Sequence, residues 1–360
     1  MRTFTDIGLN LAENGWLSDH LVRHAIRHLC RRRLIQTKRA SLSRDDEEMR
    51  RFIEAMNNSD IAPLPEKANE QHYELPPEFF NLILGKHNKY SCGYWKNEDD
   101  HIDASEEASL HITCNRAGIE NGESILELGC GWGSLTLWIS AQFPDSHIMA
   151  VSNSNSQRNF ILERARTAGL QNIEVITADI NEFNTAQQFD RIISIELFEH
   201  LRNYQEIFRR IHSWLKDDGK FFMHIFCYKY YPYKFEDRGP TDWMARHFFT
   251  GGIMPSRDLP LQFQEHLKLD CQWHWNGLHY QHTANRWLEN LDKNSIVVKN
   301  ILAEVYGCKN EDLWFNRWRL FFMACAELFG MAKGAYWGVG HYLFVKNISA
   351  PPAFNLNDQD

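Results

Sequence analysis

The sequence predicts an α/β fold, a parallel sheet carrying helices on both faces. Three observations predict it. The run Ser124-Ile125-Leu126-Glu127-Leu128 is short, apolar and β-prone, and glycines follow at alternate positions in Gly129-Cys130-Gly131-Trp132-Gly133. The next stretch, Ser134 to Ser140, carries an apolar stripe that suits a helix. Beyond it, strand-like runs alternate with helical ones, the pattern of a nucleotide-type, Rossmann-like domain. Glycine suits the first turn because the chain must bend tightly and let a ligand approach its backbone. The helix N-terminus behind it offers free N–H groups to a negative group.

Taken in order, residues 18–56 read as helices. Leu21, Ala25, Ile26, Leu29 and Leu34 recur at helical spacing, and Arg27, Arg31, Arg32 and Arg33 between them form a solvated basic face. Pro63 and Pro65 mark a linker over 57–71. The aromatic stretches 72–80 and 90–95 have little period and suit pocket walls or lids. A helix is expected over 102–117, with Asp103 or Ser105 near its start. Strands are expected at 124–129, 147–153, 173–178, 190–196 and 220–226, with helices at 157–168 and 204–215. Asp217-Asp218-Gly219 supplies a turn into the fifth strand.

Residues 228–334 break this rhythm with Pro232, Pro240, Pro255 and Pro260. They read as a helical cap, helical at 287–302 and 311–329, with late strands at 271–276 and 336–346. The expected division is a helical extension and linker over 1–70, the core over 71–227, the cap over 228–334, a last strand over 335–347 and a disordered tail over 348–360.

Composition bounds the function. The chain has 360 residues, 43% of them hydrophobic, which is enough for a sizeable core. Its net charge of −8, from 39 basic and 47 acidic residues, argues against nucleic acid as the main partner. No apolar run reaches the roughly 18 residues of a membrane span. The start, Met1-Arg2-Thr3-Phe4, lacks an apolar signal core, so a cytoplasmic protein is expected. The eight cysteines form no CxxC pair, which speaks against structural zinc and a disulfide framework. Cys92 and Cys325 read as small buried apolar residues. Aromatic residues reach 13% and suggest an aromatic-walled pocket for an apolar or cationic substrate.

In an open parallel sheet, ligands bind beyond the C-terminal strand ends. That places Gly129 to Gly133, Asn153, Asp179-Ile180 and Glu196-Leu197-Phe198-Glu199-His200 at the binding edge, with His224 inside the fifth strand. Asn153 stands where dinucleotide-binding proteins often carry an acid, which lowers the case for NAD. Asp179 is placed to accept from an adenine amino group, with Ile180 over the ring. Glu196, Glu199 and His200 lie at i, i+3 and i+4, so a helical turn would put them on one face. Two carboxylates and an imidazole can shift each other's pKa toward neutrality and remove a proton. The plainer reading is a polar helix start.

Glu127 to Gly133, with Asp179-Ile180 and Phe198-Glu199-His200, resembles the S-adenosylmethionine-dependent methyltransferases. Within them the chain resembles the cyclopropane fatty acid synthase superfamily, and there the coclaurine N-methyltransferase branch. Tyr73-Glu74-Leu75-Pro76, Tyr90 to Trp95, Asn203-Tyr204 and Trp318-Arg319-x-Phe321 also have counterparts, and the resemblance runs from about residue 15 to 346. It implies a class I methyltransferase sheet and S-adenosylmethionine as cofactor, with S-adenosylhomocysteine as product. Tyr90, Ser91, Gly129, Gly131, Asn153, Gln157, Asp179, Ile180 and Ile195 would hold that cofactor. Glu199 and His200, with Glu196, would activate an amine, and no metal would be needed.

The substrate side would comprise Glu74 as counter-charge, then Tyr73, Cys92, His224, Tyr280, Trp318, Phe321 and Cys325. The resemblance also carries an alternative. Cyclopropane synthases use bound bicarbonate as base, and Cys92, Glu199, His224 and Tyr280 match the residues that hold it. Pro76-Pro77, Glu196 where those synthases have glycine, and the N-terminal helices favour the N-methyltransferases. Arg317 stands where the plant N-methyltransferases have an aromatic pocket residue. The expected partner is a small-molecule amine, with a homodimer left open. A non-catalytic S-adenosylmethionine-binding protein is the third reading.

Overall fold

The structure is a computed structural model, and it describes residues 4–42, 46–65, 75–239 and 241–350. At its centre lies a seven-stranded mixed sheet. The strands β1 (Ser124–Leu128), β2 (His147–Ser152), β3 (Ile173–Thr177), β4 (Phe189–Ile195) and β5 (Leu215–Tyr228) run parallel. Two short strands, β6 (Tyr233–Lys234) and β7 (Ile253–Met254), pair as a separate ribbon. β8 (Leu267–Asn276) and β9 (Trp337–Lys346) return to the main sheet, where β9 lies antiparallel between β5 and β8. The spatial order is β3-β2-β1-β4-β5-β9-β8, so strand order reverses between β1 and β4. A crevice opens at such a reversal.

The N-terminal helices are α1 (Phe4–Glu13), α2 (Asp19–Leu42), α3 (Asp46–Asn57) and α4 (Pro77–Ile83). Those of the alternating core are α5 (Ile102–Ala117), α6 (Ser134–Gln142), α7 (Asn155–Ala168) and α8 (Tyr204–Trp214). Their ends follow local chemistry. Ser154 caps α7 by accepting from the Gln157 N–H, and Asn203 caps α8 through the Glu206 N–H. Gly169 ends α7 in the left-handed region, at φ +69°. The C-terminal helices are α9 (Trp243–His247), α10 (Leu278–Lys293), α11 (Ser295–Tyr306) and α12 (Glu311–Phe329).

α5 occupies the expected 102–117 with Asp103 in its first turn, and His101 caps it by accepting from the Asp103 N–H. Two sequence expectations need correction, and two helices, α1 and α4, are unexpected. Residues 217–219 do not turn into a fresh strand. β5 already pairs at Leu215 with Phe189, and the chain bulges before Lys220 meets Arg191. The helix expected over 287–302 is two helices. They part at Asn294, whose side-chain amide donates to the Leu82 and Asn290 carbonyls at 2.9 and 3.0 Å. α1 and α4 carry no period long enough to announce them. α4 starts on Pro77, whose fixed φ suits a first helical position. Of the expected tail, 351–360 lies outside the described residues.

The C-terminal and N-terminal helices lock together through charge and aromatic packing. Glu327 of α12 receives Arg23 and Arg27 of α2 at 2.9 and 3.0 Å. Arg319 grips Asp19 and Asp292, each at 2.7 Å. Arg317 donates to Glu13 of α1 at 3.0 Å, and the Trp243 indole donates to the same oxygen at 2.8 Å. Beneath these pairs Trp318 is fully buried. Its ring meets Phe79 at 4.9 Å, Phe248 at 5.0 Å and Phe321 and Phe322 at 5.7 Å. Truncating such a side chain removes apolar burial and leaves a cavity. Trp318→Ala is expected to cost about 3–5 kcal/mol of stability, read from urea denaturation. A wild-type midpoint would show that this ring is not part of the packed core.

Candidate active site

The turn after β1 is built from strained geometry that glycine tolerates. Gly129, Gly131 and Gly133 sit at φ +76°, +53° and +77°. A Cβ on Gly131 would meet nothing within 4 Å, so its backbone faces open space. That space is a cavity of about 1300 Å³ at the C-terminal edge of the sheet. The nine residues expected around a cofactor all line it: Tyr90, Ser91, Gly129, Gly131, Asn153, Gln157, Asp179, Ile180 and Ile195.

The cavity fits S-adenosylmethionine by its own chemistry. Three buried polar atoms on its wall, Gln157 Nε2, Trp132 Nε1 and Ser134 Oγ, have no hydrogen-bond partner among the described residues. Glu127 and Asp179 supply carboxyls, and Ile180 and Leu197 supply apolar cover. Burial pushes the Glu127 carboxyl up to about 7, against the Thr136 hydroxyl that donates to it at 2.5 Å. An ammonium arriving beside it would draw that value down again.

A second cavity of about 760 Å³ opens against the first. Phe226, Phe235, Phe249, Tyr280, Trp287, Phe321 and Phe329 make most of its wall, with Met244, Met254 and Cys325. The Tyr280 and Phe329 rings stack at 4.2 Å and 6°. Three residues belong to both cavities: Tyr90, Glu196 and His200. This junction is where a methyl donor and an acceptor could meet.

Glu196 reaches the junction through an unusual backbone. It sits at φ +50°, just past the end of β4, and its N–H donates to the His224 carbonyl at 2.8 Å. The left-handed residue is strained for anything but glycine, and such strain clusters at functional sites. Its carboxylate collects three donors. The Cys92 N–H reaches Oε1 at 3.0 Å, His224 Nε2 faces Oε1 at 3.2 Å, and the Tyr280 hydroxyl donates to Oε2 at 2.8 Å. Burial raises the carboxyl of Glu196, while the Lys89 charge and these donors oppose it.

Glu199 is different. It is fully buried, its Oε1 accepts from the Phe226 N–H at 2.6 Å, and Oε2 has no hydrogen-bond partner among the described residues. Burial and the neighbouring Glu196 charge push its pKa well up. Burial thus pushes both carboxyls toward the neutral form, Glu199 the more strongly, while the donors converge on Glu196.

The spacing argument for one shared helical face fails. Only 198–200 form a single 3-10 turn, and the left-handed Glu196 stands outside it. Glu196 and His200 still converge on the junction because both cavities close there, whereas Glu199 lines neither. Cys92 and His224 also line neither cavity and instead stand behind Glu196. Tyr280, Phe321 and Cys325 line the aromatic chamber. Trp318 does not; it is fully buried, with its ring against Phe248 and Phe321. Tyr73 and Glu74 lie outside the described residues.

Sequence reasoning missed Lys89, Glu127 and Trp132. Lys89 is buried on the cofactor cavity and donates to Ser91 Oγ and the Cys92 carbonyl at 2.5 and 2.8 Å. A lone lysine before an aromatic run carries no period that could have marked it. Glu127 and Trp132 sit inside the glycine motif itself, and their type among glycines was the available signal.

A Rossmann-like sheet, a glycine turn after its first strand and a cavity at its reversal point define an S-adenosylmethionine-dependent methyltransferase. The family model described as mycolic acid cyclopropane synthetase matches residues 64–336, and the chain belongs to that family. It is 34% identical over 342 residues to the (S)-coclaurine N-methyltransferase of Thalictrum flavum subsp. glaucum, covering 94% of this chain and 95% of that one. The crystal structure of coclaurine N-methyltransferase bound to N-methylheliamine and S-adenosylhomocysteine superposes with a TM-score of 0.90 at 34% identity, over 94% of this chain and 98% of that one. The cyclopropane synthase MmaA2 of Mycobacterium tuberculosis shares the fold, with a TM-score of 0.66 at 23% identity over 80% of this chain and 100% of that one. Within the family, the chain falls with the coclaurine N-methyltransferase branch.

Two expectations follow. Gly131→Val places a branched side chain in the cofactor's space and at a φ of +53° that valine resists. Calorimetry is expected to show a large loss of S-adenosylmethionine affinity in a folded variant. The second concerns Glu199, which holds its proton more tightly folded than unfolded. Raising the pH above the ordinary value of 4.5 therefore costs the wild type stability, until the folded group itself ionises. Glu199→Gln keeps the neutral shape, so it is expected to match wild type in acid and exceed it at neutral pH. Thermal denaturation across that range measures the difference, and parallel curves would mean Glu199 is charged in the fold.

Proposed function

We propose that the protein methylates the nitrogen of a small-molecule amine with an aromatic body. The observation that carries this reading is the Glu196 carboxylate at the junction of the two cavities. A cationic amine entering the aromatic chamber finds its counter-charge there, next to the methyl donor. The chamber's rings suit both an apolar body and a cation. The N-methyltransferase relative points the same way.

S-adenosylmethionine supplies a methyl carbon on a positively charged sulfur, open to in-line displacement. The protein's work is to align the nitrogen with that carbon and to free its lone pair. An amine is mostly protonated near neutral pH and cannot attack. His200 and Glu196 share the junction and are the groups placed to take its proton. Glu196 keeps its charge because three donors converge on it. Glu199, behind them, is pushed toward its neutral form and fixes the Phe226 N–H, and Phe226 walls the chamber.

The same geometry speaks against the bicarbonate alternative. Three of the four residues matched to a bicarbonate site, Cys92, His224 and Tyr280, already give their donors to a carboxylate attached to the chain.

The test is methyl transfer from labelled S-adenosylmethionine to panels of amines and unsaturated phospholipids. Turnover is expected on amines and unchanged by bicarbonate. Near pH 7, His200→Ala is expected to lose about 10²–10⁴-fold, the usual worth of a positioned acid–base group. Activity should partly return above the amine's pKa, where free nucleophile no longer needs help. Bicarbonate-dependent turnover of phospholipid, with none on amines, would overturn the reading.

A further inference from the structure

Behind Glu196 a line of side chains runs across one face of the sheet, from β5 to β9 and on to α5. His224 on β5 and His341 on β9 are directly opposed in the antiparallel register. Both are fully buried. His224 Nδ1 faces His341 Nε2 at 2.9 Å, and His341 Nδ1 faces Arg116 Nη1 at 2.7 Å. Arg116 stands in the last turn of α5, half-buried, with its guanidinium over Trp273 at 5.0 Å and Trp275 at 5.7 Å.

The direction of this line follows from Arg116 alone. A guanidinium is always protonated and only donates. His341 Nδ1 must therefore accept, which leaves its proton on Nε2. That proton points at His224 Nδ1, which must accept in turn and carry its own proton on Nε2. His224 Nε2–H then points at Glu196 Oε1. The reversed line would turn a lone pair toward the carboxylate.

We propose that Arg116 and His341 are positioning residues for methyl transfer, which set the His224 tautomer so that Glu196 always meets an N–H and stays a carboxylate. This rests on the amine reading above for its catalytic consequence, though not for the tautomers themselves.

The surroundings agree. Both imidazoles are held neutral, their pKa values pushed well down by burial first and then by nearby cations, Lys89 and Arg116. The other groups around the two rings are Glu196 at one end, His274 beside His341 and Tyr94 near Arg116. The Trp275 ring closes on both, at 5.5 Å from His224 and 4.3 Å from His341, and fixes their planes. The line is not a proton exit, because Arg116 cannot accept a proton at its outer end. Its output is orientation.

Two measurements on the full-length protein test this. Nitrogen-15 spectra of histidine-labelled protein, assigned with His224→Gln and His341→Gln, report which ring nitrogen carries each proton. Both residues are expected as Nε2–H in the wild type. Arg116→Met should mix the tautomers, and Arg116→Lys, which keeps a donating cation, should restore them. On an amine substrate, the acid limb of kcat/KM should move up by about one pH unit in Arg116→Met, because a donor to the charged form is lost. Arg116→Lys should return it. A wild-type Nδ1–H on either histidine would overturn the proposal, as would an unmoved acid limb in folded Arg116→Met. The spectra are read without turnover, so a failure of the amine reading does not touch them.

Discussion

A charged carboxylate at the meeting point of two cavities is the constraint on which the site depends. Removing Glu196 from water is costly unless donors replace the water. The structure supplies them from distant parts of the chain: the loop before α5 through Cys92, β5 through His224 and α10 through Tyr280. Those elements must pack together for the charge to survive. The left-handed backbone at Glu196 is the local cost of aiming that carboxylate into the junction rather than along the strand.

The second carboxyl shows the same rule from the other side. Glu199 lies close enough to feel the charge on Glu196 and is more deeply enclosed, with one oxygen unpartnered among the described residues. Two like charges in such a place repel, which raises the pKa of the more enclosed carboxyl. Environment thus sets two nearby acids apart, one ringed by donors and one more deeply enclosed. Around them, ion pairs on the outer helices hold the aromatic wall closed. Arg23 and Arg27 meet Glu327, and Arg317 meets Glu13, so α1 and α2 are tied to the helix that carries Phe321 and Cys325.

The cofactor side was legible from residues near one another in the chain. Glycines after a β-prone run, then Asn153 and Asp179-Ile180 at the next strand ends, all project to one edge because parallel strands share a direction. Topology therefore converts sequence order into a common wall. The Glu196, Glu199 and His200 cluster was legible as residue types but not as geometry. Spacing of i, i+3 and i+4 implied one helical face, and a positive φ at Glu196 broke that inference. The resemblance implied Trp318 as a pocket wall with Phe321, yet Trp318 is fully buried in the core and only Phe321 lines the chamber.

Periodicity and turn chemistry were enough to predict the α/β class, the five parallel strands and the cofactor edge, because these depend on contacts within a few residues. The partners of Glu196 depend on pairing between segments up to about a hundred residues apart, and no local pattern encodes that. His224 and His341 are 117 residues apart and meet only because β9 enters the sheet beside β5 in one register. A shift of that register by one residue would turn His341 to the opposite face and leave Arg116 with no ring to orient.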